Sequence, residues 1–64
     1  MTDLQTMKNV LIASGYREDS FMIVELKDTI DLTLYKSIYV DYNLYDEIET
    51  TFVYDKNEKL IEIY

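Results

Sequence analysis

IDLTLYKSIYVDYNLY, residues 30–45, is the stretch whose secondary structure decides the fold. Two patterns are superimposed on it. Tyr35, Tyr39, Tyr42 and Tyr45 recur at i, i+4, i+7 and i+10, with Ile38 on the same side, which is the spacing of a helical stripe. Against it stand the apolar residues at even positions from Ile30 to Leu44, interrupted only by Lys36. That is the period of a strand with one buried face. The run is also rich in β-branched and aromatic residues, which favours strand. On this reading Ile30, Leu32 and Leu34 point inward and Asp31, Thr33 and Tyr35 outward. Lys36 and Ser37 mark a bulge or a second turn, and Ile38–Tyr42 alternates again. One strand, two strands and a helix all stay open for residues 30–45.

Outward from this stretch the signals are plainer. Phe21–Lys27, FMIVELK, is β-rich and too short for a typical helix, and Met22, Val24 and Leu26 share a face. Lys27, Asp28 and Thr29 form a turn before Ile30. At the C-terminus IETTFVY, DKNEK and LIEIY read as strand, turn and strand. A turn centred on Asn57 and Glu58 pairs Tyr54 with Ile61 and Phe52 with Ile63. This register gathers Ile48, Thr50, Phe52, Tyr54, Ile61 and Ile63 on one face. It leaves Glu49, Thr51, Val53, Leu60, Glu62 and Tyr64 on the other; a slip of one residue exchanges the two sets. The N-terminus reads as a helix. Thr2 and Gln5 make a capping box, and Leu4, Met7, Val10, Leu11 and Ser14 follow on one face. Gly15, the only glycine, stands where a left-handed stop is wanted, with Tyr16 after it. Arg17–Ser20 is a polar connection.

The expected fold is therefore α+β: one N-terminal helix, with Leu4, Met7 and Leu11 inward, packed on a three- to four-stranded antiparallel sheet. Residues 1–64 form a single domain. A chain this short buries only about 60% of its extended-chain surface, so the core is thin and a homodimer is a natural supplement. Large apolar groups on both sheet faces point the same way.

Composition narrows the chemistry. The chain has no cysteine and no histidine, which removes disulfides, thiolate and imidazole metal sites and any histidine acid or base. With one glycine there is no phosphate-cradling loop, and no nucleophile–base pair is visible. No catalytic residue, metal or cofactor is expected. Asp41–Phe52 touches the calcium-loop pattern at Asp41 and Asn43 but has Asp46 where glycine is needed and Phe52 where glutamate is needed. A polar turn between strands is the better reading there. The net charge of −7 opposes direct binding to nucleic acid or anionic lipid, and favours a basic protein partner or solubility alone. No run approaches the roughly 20 apolar residues of a membrane span. Met1–Leu11 lacks the apolar core of a signal peptide, so a cytoplasmic location is expected.

One stretch stands out functionally. Ile38–Glu49, IYVDYNLYDEIE, holds three tyrosines and four acids and no base. Tyrosine offers large contact area at low entropic cost. Tyr39, Asp41, Tyr42, Tyr45, Asp46, Glu47 and Glu49 are accordingly the candidate partner-binding residues. Carboxylates held a few Å apart can imitate a phosphate row, and the tyrosines between them can fill pockets meant for bases. The expected function is a non-enzymatic inhibitor or regulator that occupies a basic, nucleic-acid-handling site on a partner. The alternative is a plain interaction module or homodimeric accessory protein whose acidity serves solubility, since charged edges also keep sheets from aggregating. Acids that point one way, spaced like phosphates, favour the mimic; scattered acids favour the module. By size and charge the chain is similar to the small acidic inhibitors of phages and mobile elements, nucleic-acid mimics among them; no motif carries that likeness.

Overall fold

The computed structural model describes all 64 residues, Met1–Tyr64. Helix α1 spans Asp3–Ala13 and both of its ends are set locally. The Gln5 N–H donates to Thr2 Oγ1 at 3.2 Å, and the Thr2 N–H donates to Gln5 Oε1 at 3.0 Å, closing the capping box. At the other end Gly15 takes φ 93°. The Tyr16 N–H donates to the Leu11 carbonyl and the Gly15 N–H to the Ile12 carbonyl, at 3.0 and 3.1 Å. Two orphan carbonyls are thus satisfied by a turn that glycine enters without a Cβ penalty.

A single 3-10 turn, Glu18–Ser20, leads into the sheet. Strands β1 (Phe21–Glu25), β2 (Ile30–Val40), β3 (Asn43–Tyr54) and β4 (Leu60–Ile63) form an antiparallel meander in that order. Residues 30–45 are therefore two strands joined at Asp41–Tyr42, not a helix. The tyrosine stripe was a coincidence of spacing. Lys36 and Ser37 are ordinary strand residues, and Asn43–Phe52 is strand rather than the polar turn expected for Asp41–Phe52. Leu4 and Leu11 of α1 pack with Ile30, Leu32, Leu34 and Tyr54, and Met7, Phe21, Phe52 and Leu60 lie around them. Only 8 of 64 residues are buried, and six of them form one thin layer between helix and sheet.

The helix is also tied to the β3–β4 turn. Its Leu4 N–H donates to the Glu58 carbonyl at 3.1 Å. Thr2 Oγ1 donates to Glu58 Oε1 at 2.6 Å, and the Asp3 carboxylate accepts the Leu60 N–H at 2.9 Å. These bonds fix the helix over the end of the sheet that carries Tyr54.

The register departs from expectation in two places. Phe52 faces Ile63 as read, but Tyr54 faces Leu60 rather than Ile61. The cause is the Asp55 carboxylate, which accepts the N–H groups of Asn57 and Lys59 at 2.9 and 3.0 Å. That clamp, with Glu58 at φ 64°, makes a three-residue loop closed at Asp55 and Lys59. Ile61 becomes the extra residue of a bulge and is exposed, and Leu60 takes its place against the core. In the second place, Leu34 faces Thr50 and Tyr35 faces Ile48, so Glu49 is an inserted residue. Ile48 therefore leaves the face of Thr50 and Phe52 and is exposed. Thr51 and Val53 are buried on the sheet face opposite the helix.

Candidate functional site

Strand length creates the site. β1 reaches β2 only as far as Leu34, and β4 reaches β3 only as far as the Thr51–Tyr64 pair. Beyond these points β2 and β3 continue alone, as a two-stranded arm from Tyr35 to Thr50 that draws the molecule out to 42 × 26 × 16 Å. A two-stranded ribbon has little to bury its faces against, so apart from half-buried Tyr35, Ile38 and Thr50 its side chains stay in solvent. Leu44 and Ile48 are 58% and 60% exposed there, although the even-numbered series had placed Leu44 among inward residues. These arm aliphatics are the part of the surface that sequence reasoning missed. The short flanking strands were the available signal.

Alternation along the paired strands sorts the arm into two faces. Tyr35, Ser37 and Tyr39 share one with Ile48, Asp46 and Leu44. Ser37 Oγ donates to Asp46 Oδ1 across the strands at 3.4 Å. Lys36, Ile38 and Val40 share the other with Glu47, Tyr45 and Asn43. The tip is a two-residue turn with Asp41 at φ 50° and Tyr42 at φ 66°. Positive φ at both positions is the left-handed turn that matches strand twist and is ordinarily built from Asn and Gly. Asp41 tolerates that geometry, but a tyrosine in it is strained, and Tyr42 is fully exposed.

All seven candidate residues thus lie on the arm, but not on one surface. Tyr39 and Asp46 occupy one face, Tyr45 and Glu47 the other, Asp41 and Tyr42 the tip, and Glu49 the bulge. Asp46 and Glu47 are consecutive strand residues and point in opposite directions. The acids form no single row. Tyr39 neighbours Leu44 across the ladder and does not share a strand face with Asp41.

Where the arm leaves the body, Arg17 and, in the 3-10 turn, Asp19 and Ser20 face Tyr35, Ser37 and Asp46 across an open notch of about 370 Å³. Arg17 Nε is 3.4 Å from Asp19 Oδ1, both in solvent. No three acidic side chains converge closely enough to hold a metal ion. No helix is long and apolar enough to cross a membrane. No protein-family model matches the chain, and neither a curated protein nor a solved structure matches it.

Proposed function

We propose that this is a non-enzymatic binding protein that engages a basic partner protein through the β2–β3 arm and acts there as an inhibitor or regulator. The observation that carries this reading is the strained, fully exposed Tyr42 at the tip of an arm whose two faces both combine aliphatic, aromatic and acidic side chains. Residues held in such sparsely populated backbone regions cluster at binding and active sites. Four acids against Lys36 give the arm a net charge of −3 (1 − 4) over residues 35–50, which attracts a basic surface from a distance. A nucleic-acid-handling protein is the partner class this charge suits best. The scatter of Asp41, Asp46, Glu47 and Glu49 over tip, faces and bulge counts against a phosphate-row mimic and favours a plain interaction module, whose partner could offer a cleft with basic groups on both walls.

The test is capture of partners from lysate by the parent and by a Tyr39→Ala, Tyr45→Ala variant, each at low and high salt, with mass-spectrometric identification. The expected result is retention of basic proteins that both the variant and high salt release. Equal capture by parent and variant would remove the arm from the interaction. A second reading, a homodimer, rests on a different surface: Met22, Val24 and Tyr64 stand exposed on the sheet face that the helix does not cover.

A further inference from the structure

We infer that the partner docks by adding a strand: an extended, lysine- or arginine-bearing segment pairs with the free edge of β3 at Leu44, Asp46 and Ile48, continuing the line of β4. This rests on the docking reading above and specifies its geometry.

The edge is identified by hydrogen-bond parity. In an antiparallel ladder the facing pairs alternate between those that exchange both backbone bonds and those that exchange none. The two-residue turn closes on Val40 and Asn43, so that pair is bonded, and Ile38–Tyr45 and Lys36–Glu47 follow. Tyr39–Leu44, Ser37–Asp46 and Tyr35–Ile48 are the unbonded pairs, whose N–H and C=O groups point away from the ribbon. Parity at the body agrees with the inserted Glu49. Thr51 exchanges both bonds with Tyr64 on the β4 side, at 2.6 and 2.9 Å, which leaves Thr50 as the residue turned toward β2. Leu44, Asp46 and Ile48 therefore present three donors and three acceptors beyond the Thr51–Tyr64 pair.

Two edges of the arm compete, and they differ. The β2 edge beside Tyr35 is flanked by the 3-10 turn, which contacts β2 and runs directly into β1 along that edge. The β3 edge has no covering element, and residues 43–49 contain no proline or lysine of the kind that shields edges. It has Asp46, Glu47 and Glu49 instead. Carboxylates along an edge repel a second copy of the same edge, since each chain carries −7, while they attract a strand with basic side chains. Leu44 and Ile48 flank Asp46 on one face and Tyr45 lies beside Glu47 on the other. An incoming strand with alternating basic and aliphatic residues meets both kinds of neighbour. In strand addition the main-chain bonds give affinity and the side chains give selectivity.

The test is amide hydrogen exchange of the full chain by NMR, with a short capped peptide of alternating lysine and valine as the probe. In the free protein the Tyr45 and Glu47 amides, bonded to β2, exchange slowly, and those of Leu44, Asp46 and Ile48 exchange fast. Saturating peptide should slow the second set roughly tenfold or more while leaving Ser37 and Tyr39 unchanged. Asp46→Pro removes an outward N–H without touching the β2–β3 ladder and should abolish this protection. Asp46→Asn should weaken binding and keep the alternating pattern. If Asp46→Pro fails to fold, the parent's exchange pattern decides alone. Arm resonances that shift with no slowing at the three amides, or slowing at Ser37 and Tyr39 instead, would overturn β3-edge pairing and leave arm docking standing. No response of the arm to the peptide would overturn both. Protection that rises with protein concentration alone would identify a second copy as the occupant and overturn the basic partner.

Discussion

Two tyrosines show what single residues cost this chain. Tyr42 holds φ 66° with its ring wholly in solvent, so the left-handed strain is not offset by packing. Tyr42→Gly should raise stability by about 1 kcal/mol, seen as a higher denaturant midpoint, because glycine enters that region freely. The same change should weaken partner binding if the ring is a contact. A midpoint that falls would show that the ring stabilises the folded arm. Tyr54 is the opposite case. It is fully buried, and its hydroxyl finds no hydrogen-bond partner in the protein. A buried orphan hydroxyl costs about 1–3 kcal/mol, so Tyr54→Phe should be neutral to stabilising. Burial, with the Asp3 carboxylate adding to it, pushes the Tyr54 phenol above its usual range. The unfolded chain gives up this proton near pH 10 while the folded chain keeps it. Stability is therefore fully present below about pH 10 and declines as pH climbs from there through the raised folded value. Tyr54→Phe should flatten that alkaline decline; an unchanged slope between parent and variant would refute the assignment.

At the scale of elements, the helix ends are the most local feature and the most sharply testable. Gly15 sits at φ 93° with open space where a Cβ would go, so a side chain there meets strain rather than a clash. Gly15→Val should cost on the order of 1 kcal/mol or more in chemical denaturation, and an unmoved midpoint would discount the cap. This element was legible in the sequence because capping box, apolar face and glycine are all short-range signals. The alternation of Ile30, Leu32 and Leu34 was legible for the same reason, since these three are buried in a strand of the expected phase. The C-terminal register was not. Leu60 and Ile61 are both aliphatic, so exchanging them leaves the hydrophobic pattern almost unchanged, and only the Asp55 clamp decides between them. The tip turn was hidden too, because Asp41–Tyr42 lacks the glycine or asparagine that ordinarily announces such a turn. Without the turn and the inserted Glu49, the candidate residues could be named as a stretch but not assigned to faces. The even-numbered series then carried Leu44 into a core that ends at Leu34.

The molecule as a whole leaves two surfaces uncovered, and they respond to salt with opposite sign. The arm is anionic, so the docking of a basic partner proposed for it rests on attraction, which salt weakens. The open sheet face has rows Met22–Thr33–Thr51–Tyr64 and Val24–Asp31–Val53–Glu62 across its four strands. Its aliphatic and aromatic groups could bury against a second copy, supplementing a core cluster of six buried residues. That contact would also bring Asp31 and Glu62 of one copy toward those of the other, between chains that each carry −7. Like charges facing each other oppose association until they are screened. A homodimer through this face should therefore tighten as salt rises, and docking through the arm should loosen. Sedimentation velocity across ionic strength and protein concentration measures the first effect, and partner-binding kinetics across the same series measures the second. Met22→Glu should abolish self-association while leaving arm docking intact, and Tyr45→Ala should do the reverse, speeding partner dissociation by roughly 1–3 kcal/mol in free energy. A chain that stays monomeric at high micromolar concentration in high salt would rule out the sheet-face dimer. A dimer that Tyr45→Ala disrupts and Met22→Glu spares would move the self-contact to the arm.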